Sequence, residues 1–452
     1  MSKECRDAHR YLDIRLLFAF QSGSILGILF GIVVTMEGTM LRRSLKFIAL
    51  LVTGLVVTTL PIKQADSVST TQYWIKIKAA DKYERSLVAN TGVSIEAIRE
   101  DYVYAYGNLQ ELKQLEELNL VEVSFPVTEA MDFPEKDREF HNYAEMKSAL
   151  EKMHAENPEV TELFSIGKSI QGRDILGIRI SGDLKNASQL PGIIIMGGHH
   201  AREHVSVELP IRFAQHYLTE LKNGNPRVFK QLHSRDIHII PAINPDGMEY
   251  DIEGGKYKTW RKNRKQNKQG TYGVDLNRNY GFKWGTGGSS NDSSSDVYMG
   301  EHPFSEPETQ AVKAYVEKNQ NLTVLLSVHT FSQLILYPWG HTYDPIQDSK
   351  AREVHEKMAR EMAQWNGYKP QQSSELYIAS GDTTDWSYGE HKIISFTFEL
   401  DPANNGMGAG GFYPGQGVIP SVVQKNIEPI LYLIDYADNP YRVLDTSIES
   451  KL

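Results

Sequence analysis

Gly192-Ile193-Ile194-Ile195-Met196-Gly197-Gly198-His199-His200-Ala201-Arg202-Glu203 joins an apolar run to a His-x-x-Glu pair. A short apolar run bounded by glycines reads as a strand buried on both faces. The loop after it offers a His and a Glu three residues apart. Neutral imidazole and carboxylate are zinc ligands, and a catalytic zinc takes three protein ligands and keeps its fourth position open. If His200 and Glu203 are two of these, the chain should supply another His and a separate carboxylate base.

Both lie downstream. His329 ends the apolar run 324–328, so it also stands at a strand terminus. One His at a strand end is commonly structural. Two of them, one paired with Glu203, point to a ligand set. Glu399 lies inside Ser395-Phe396-Thr397-Phe398-Glu399-Leu400. A carboxylate in an apolar strand is costly without a partner or a task, and burial beside a metal tunes it as a general base. Trp260-Arg261-Lys262-Asn263-Arg264 carries two guanidiniums, and Asp275-Leu276-Asn277-Arg278-Asn279 carries an Asn-Arg pair after an Asp. Arginine forks suit a carboxylate or an oxyanion. A lone Arg-Lys-Asn-Arg run also reads as a solvated basic face.

The 452 residues suffice for one large domain or two unequal ones. A hydrophobic content of 40% and a charged content of 23% are ordinary for a globular protein. The net charge of −9, with no Lys/Arg stripe interleaved with aromatics, argues against a nucleic-acid binder and fits plain solubility. Cys5 is the single cysteine, which excludes a disulfide framework and a Cys-based zinc site within the chain. A large core lets an exported protein do without disulfides.

The body alternates predicted strands (175–180, 192–196, 237–241, 324–328, 394–400) with predicted helices (207–221, 307–318, 350–365, 420–437). This pattern predicts an α/β fold with a mixed, mainly parallel central sheet flanked by helices, its site at the strand ends. The Gly/Ser-rich stretch 285–294 reads as a flexible surface loop. Ahead of the body, 73–78, 102–106 and 120–125 read as strands, and 82–89, 94–100 and 109–118 as helices. Such an α+β unit of about 55 residues is marginal as a core of its own. Pro126 and the polar stretch 135–139 mark a linker.

Residues 40–66 combine a basic start, the short apolar run 47–60 and a polar boundary at Ala65, the pattern of a secretory signal peptide. The run is too short for a comfortable membrane span. A second apolar run, 25–36, is either part of a two-segment anchor or precedes a true start at Met40. The expected organisation is an N-terminal extension and signal over 1–65, an activation pro-segment over 66–131 and the body over 132–452. A permanent accessory domain is the alternative for 66–131. The expected location is extracellular, with no stable membrane association after signal cleavage and no nucleic-acid partner.

The motifs together resemble the zinc metallocarboxypeptidases of the pancreatic carboxypeptidase A/B type, from about residue 133 to residue 441, and within them the secreted bacterial carboxypeptidase T branch. The segments carrying the resemblance are His199-His200-Ala201-Arg202-Glu203-His204, Trp260–Arg264, Asp275–Tyr280, His329-Thr330-Phe331-Ser332-Gln333 with Leu336-Tyr337-Pro338, and Tyr377 with Asp385-Trp386-Ser387-Tyr388 and Phe396–Glu399. The resemblance implies that His200, Glu203 and His329 bind one Zn2+. It makes Glu399 the general base and then the proton donor to the leaving amine. Arg264 would polarise the scissile carbonyl, and Asn277 and Arg278 would clamp the terminal carboxylate of a peptide or protein substrate. Tyr377 would close over the substrate, Arg261 would lie along its groove and Asp275 would orient His200. A precursor of this kind also needs a processing protease.

The positions matching the family's side-chain pocket are Leu336, Gly340, Ala379, Asp382, Thr384 and Thr397. A neutral Thr384 beside the carboxylate of Asp382 implies a mixed preference for apolar and basic C-terminal residues, unless Asp382 is internally hydrogen-bonded and reads nothing. Phe331 stands where the pancreatic enzymes often have Tyr, and their disulfide is absent. Glu145 lies in a region matching a structural Ca2+ site of carboxypeptidase T. The rival readings are a zinc amidase or peptidase acting on cell-wall peptides, and a binding module that keeps the fold without activity. Asn277, Arg278 and Tyr377 argue against the first, Glu399 and Arg264 against the second.

Overall fold

A computed structural model describes residues 72–126, 137–253, 255, 257–268, 270–403 and 411–445. The signal-like stretch 40–66, the boundary at 65/66 and the boundary at 131/132 lie outside the described residues. Among the described residues no helix is long and apolar enough to cross a membrane.

Residues 72–126 build a small unit with its own sheet: β1 (Gln72–Lys78), α1 (Lys82–Ala89), β2 (Ser94–Ile98), β3 (Tyr102–Asn108), α2 (Leu109–Glu117) and β4 (Val121–Pro126). The strand order is β2-β3-β1-β4, and every neighbouring pair is antiparallel. Alternation along β1 sends Ile75 and Ile77 to a core with Val88, Leu112 and Leu115 of the two helices. Trp74 points the other way and joins Tyr104 and Tyr106 against Phe331, Phe412 and Tyr413 of the body. Both sheet faces are therefore covered.

Of the stretch 94–100, expected to be helical, Ser94–Ile98 form the strand β2 instead. Its Glu and Ala favour a helix, but an open edge of β3 offers a ladder of backbone partners that overrides this local preference. The register shifts between Ile95 and Ala97, so Glu96 is the extra residue of a bulge. A bulge re-aims a side chain, here toward the body.

The body contains α3 (Tyr143–Glu156), β5 (Thr161–Lys168), β6 (Asp174–Ile180), β7 (Gly192–Met196), α4 (His204–Lys222), α5 (Pro226–Leu232), β8 (Asp236–Ile240), α6 (Pro245–Ile252), α7 (Pro307–Lys318), β9 (Leu322–Thr330), β10 (Leu334–Tyr337), α8 (Ser349–Asn366), β11 (Lys369–Gln372), α9 (Thr383–His391), β12 (Ile394–Leu400) and α10 (Ile419–Tyr436). Its eight strands order as β11-β10-β12-β9-β7-β8-β6-β5. The four in the middle, β12-β9-β7-β8, run parallel, and antiparallel pairs flank them. This is the expected mixed α/β sheet. Alternation along β7 explains its unbroken apolar run: Ile193 and Ile195 pack into one core with α4, α8 and α10, while Ile194 and Met196 pack into a second core with α7 and Trp386.

Parallel pairing decides where the chemistry sits. In the β9–β12 ladder His329 is the register partner of Glu399. In the β7–β9 ladder Met196 pairs with Ser327, so β7 ends beside His329 and hands the chain to the His200 loop. A Cβ on Gly197 would stand 2.1 Å from Ser206 O and 2.8 Å from Pro241 O, and Gly198 holds a φ of +62. The close approach of these backbones folds the loop back onto the start of α4. Gly197→Ala should therefore lower stability by about 3 kcal/mol through overpacking, read as a lower denaturant midpoint with an unchanged slope. A wild-type midpoint would mean that the loop gives way freely.

Candidate active site

Glu203 occupies the N-cap position of α4 yet caps nothing. Its carboxylate turns instead to two imidazoles. His200 Nδ1 lies 2.7 Å from Glu203 Oε1, and His329 Nδ1 lies 3.0 Å from Glu203 Oε2. The two Nδ1 atoms are 3.1 Å apart. All three residues are buried. Each ring's far nitrogen has its own partner. His200 Nε2 is 3.1 Å from Asp275 Oδ1, and His329 Nε2 is 3.2 Å from Ser327 Oγ. A proton on each Nε2 leaves both Nδ1 lone pairs facing the carboxylate, a set that repels itself unless a cation lies between. The donor types and their mutual closeness, within 4.8 Å, fit zinc. Among the described residues no such group of three gathers at Glu145, whose carboxylate closes a capping box with Asn142.

Electrostatics agree with that fit. Burial opposes ionisation of Glu203, but His200 and His329 hold its carboxyl well below the ordinary range. Burial also lowers the pKa of His329, which keeps the ring neutral as a ligand must be. Asp275 is held well below the ordinary carboxylate range by Arg261 and His200, against its own burial. Glu399 is pushed the other way, well above its ordinary value, by its enclosure and by the facing charge of Glu203. Two carboxylates in one pocket thus have opposite tendencies, one a permanent anion and the other able to hold a proton.

Arg261 and Arg264 part company. Arg261 lines the pocket with His200, Glu203 and Glu399. Its Nε and Nη2 each lie 3.0 Å from Asp275 Oδ2. The backbone bond from Ala201 N to Arg261 O, 3.0 Å, ties it to the His200 loop. Arg264, expected at the scissile carbonyl, lies outside the pocket. Its guanidinium sits 3.4 Å from the ring centre of Tyr250 and 4.6 and 4.8 Å from those of Trp260 and Tyr272. The segment is irregular, and its side chains do not repeat every three residues. Asn263 is held by Glu306 and Glu308 on the far side, and Arg264 follows it onto an aromatic surface.

Asn277, Arg278 and Tyr377 do converge on the same pocket. Arg278 is braced through Nε to Gly288 O at 2.9 Å. The stretch 285–294 is consequently no free loop. Gly288 N donates to Asn90 of the small unit at 3.1 Å, and Asn108 donates to Ser294 at 3.1 Å. Arg202 is a functional candidate that sequence reasoning missed. It is fully buried, ion-paired to Glu96 and, at 2.9 Å, to Asp296, with the rings of Tyr106 and Phe412 against it. Its place in the loop motif was a signal, but its partners are remote in the chain. Glu96 also lies 4.0 Å from Arg261 Nη1. The Tyr377 segment is gripped by α1: Arg85 donates to Leu376 O and Glu375 O, and Ser86 accepts from Ile378 N.

Behind Arg278, Asp382 Oδ1 caps α9, accepting from Thr384 N, Thr384 Oγ1 and Asp385 N. Its Oδ2 is buried with no hydrogen-bond partner among the described residues. A Cβ on Gly340 would stand 3.1 Å from that oxygen. Burial and the neighbouring Asp385 push the Asp382 carboxyl up to about 7. Leu336 pairs with Thr397 across β10 and β12.

Residues 146–429 match the family described as zinc carboxypeptidase. The chain is 36% identical over 339 residues to a zinc carboxypeptidase of Saccharothrix mutabilis subsp. capreolus, covering 73% of this chain and 77% of that protein. It is 30% identical over 309 residues to carboxypeptidase A1 of Rattus norvegicus, covering 67% and 71%. In fold it is similar to the crystal structure of carboxypeptidase A from Helicoverpa armigera, with a TM-score of 0.66 at 24% identity over 83% of this chain and 98% of that one.

The brace on His200 is open to test. Asp275→Asn should weaken zinc binding about 10- to 100-fold with the fold intact, measured by competition with a chromophoric chelator. Unchanged affinity would show that Asp275 does not orient the ligand.

Proposed function

As a member of the zinc carboxypeptidase family, the chain is a zinc-dependent metallocarboxypeptidase, and we propose how its own residues divide the work on a peptide C-terminus. The observation that carries the reading is one pocket lined by His200 and Glu203 of the ligand set, the carboxyl of Glu399, and the cations Arg261 and Arg278. His200, Glu203 and His329 would hold the zinc, which when bound would supply Lewis acidity to the reaction. Glu399 takes a proton from the attacking water and gives one to the leaving amine. Arg261 takes the carbonyl-polarising task that the sequence suggested for Arg264, since it alone of the two faces the pocket. Asn277 and Arg278 hold the terminal carboxylate, which restricts cleavage to the last bond. Tyr377 closes over the bound residue. A cell-wall amidase is not favoured, because the sequence relatives at 30% identity or more described above are carboxypeptidases and the Asn-Arg pair suits an ordinary α-carboxylate.

The precursor is latent on this reading. The small unit lies over the pocket: Ile95, Glu96 and Ile98 help to line it. Glu96 occupies the Arg202 side that the upstream part of a substrate would need, and α1 grips the Tyr377 segment. Cleavage by a processing protease in the linker would free both. Secretion is supported by the signal-like stretch 40–66. Asp382 Oδ2, which has no hydrogen-bond partner among the described residues, suits a basic side chain, and the uncharged Leu336, Gly340 and Thr384 suit an apolar one. Among the described residues no acidic cluster supports the expected calcium.

One experiment tests the whole. Peptides ending in Leu, Phe, Arg and Glu are offered before and after limited proteolysis, with and without chelator. Release of the terminal residue should appear after cleavage and vanish with chelator. Equal activity of the uncut chain would remove the latency. Asp382 is neutral below about pH 7 and charged above it, so turnover of the Arg peptide relative to the Leu peptide should rise through that pH and flatten in Asp382→Asn. An unchanged ratio would show that Asp382 reads nothing.

The two arginines give a sharper contrast. Arg261→Ala should cost about two to three orders of magnitude in kcat, and Arg264→Ala should leave kcat near wild type. The reverse pattern would return the role to Arg264.

A further inference from the structure

Asn277 has an amide with two unlike ends, and only one of them can serve an anion. The nitrogen donates to a carboxylate; the oxygen repels it. Which end faces the pocket is set by what holds the other. Asn277 Oδ1 accepts from Thr383 N at 3.0 Å and from Thr383 Oγ1 at 2.9 Å. A backbone N–H can only donate, so the atom facing it is the oxygen, and Nδ2 is turned toward the pocket.

The start of α9 explains why that backbone N–H is available. A helix leaves its first N–H groups without internal partners. Asp382 caps those of Thr384 and Asp385, and the N–H of Thr383 goes to Asn277. The Thr383 hydroxyl is itself held in place. It lies 3.2 Å from His199 Nε2, which is 2.9 Å from Tyr280 Oη. Tyr280, His199 and Thr383 are all buried. On the pocket side, Nδ2 is 3.5 Å from His329 Nε2, whose nearer partner is Ser327 Oγ at 3.2 Å. The amide hydrogens are thus kept for a ligand.

We infer that Thr383 is a positioning residue for substrate recognition: its two donors fix the Asn277 amide so that the nitrogen meets the terminal carboxylate of a peptide. The inference rests on the reading that Asn277 and Arg278 hold that carboxylate. Thr383→Val keeps the volume and the backbone donor but removes the hydroxyl and sets a methyl group against Oδ1. Thr383→Ser keeps both donors.

The test is a double-mutant cycle on the activated, zinc-loaded protein. KM and kcat are measured for wild type, Thr383→Val, Thr383→Ser, Asn277→Ala and the Val/Ala double variant, with zinc content and Tm checked for each. Thr383→Val should raise KM about tenfold, as for one hydrogen bond to a charged group, with a smaller change in kcat. Thr383→Ser should behave as wild type. The double variant should be no worse than Asn277→Ala alone. Full additivity, or a fall in kcat with KM unmoved, would assign Thr383 a purely structural role and overturn the inference. If Asn277→Ala itself leaves KM unmoved, the carboxylate-clamp reading fails first and takes the inference with it. If Val at 383 lowers Tm sharply, Thr383→Ala carries the same cycle.

Discussion

Two imidazole nitrogens and a carboxylate present lone pairs to one another inside a buried crevice, and this arrangement is unfavourable without a cation. Everything that fixes His200, Glu203 and His329 works against that repulsion. Asp275 and Ser327 hold the outer nitrogens. Thr330 N donates to Glu203 Oε2 at 3.1 Å. The parallel ladders of β7, β9 and β12 bring the strand ends together, with Glu399 in register with His329. The close backbone approach at Gly197 leaves room only for glycine there. The stability of the sheet is thus what maintains a metal-ready geometry, since buried charges and lone pairs persist only when their surroundings over-determine them.

The cations of the pocket are equally constrained. Arg261 is paired with Asp275, and Arg202 with Glu96 and Asp296. A buried guanidinium without such partners would be costly. Glu96 reaches its partner because a bulge interrupts β2. One backbone irregularity in the small unit thereby completes the charge balance of the larger one. The small unit buries its second sheet face, with Trp74, Tyr104 and Tyr106, on Phe331, Phe412 and Tyr413. Its modest core alone would leave those aromatics in water.

Much of this was legible in the chain. The strands of the central sheet announce themselves because both faces are buried, so each reads as an unbroken apolar run. The helices 307–318 and 109–118 lie within a residue of their observed ends because Pro307 and the Asn108–Glu111 capping box mark their starts. The strand β10 is apolar throughout but only four residues long, and the edge strands β11 and β5 carry mixed residues, so none of the three gives a period to read. The stretch 94–100 misleads because its local preference is helical and the neighbouring edge of β3 overrides it. The Gly/Ser run 285–294 looks free until Asn90, Asn108 and Arg278 are seen to hold it.

The sequence by itself determined the chemical kinds present: a His-x-x-Glu pair and a remote His at strand ends, a carboxylate in an apolar strand, and an Asn-Arg pair after an Asp. Residue type and hydrophobic period carry that information locally. Tertiary structure alone decided which of two nearby arginines faces the metal ligands, that Arg202 meets Glu96, and which end of the Asn277 amide points into the pocket. Those choices depend on side-chain direction in irregular backbone and on hydrogen bonds between residues far apart in the chain. Neither leaves a periodic trace in the sequence.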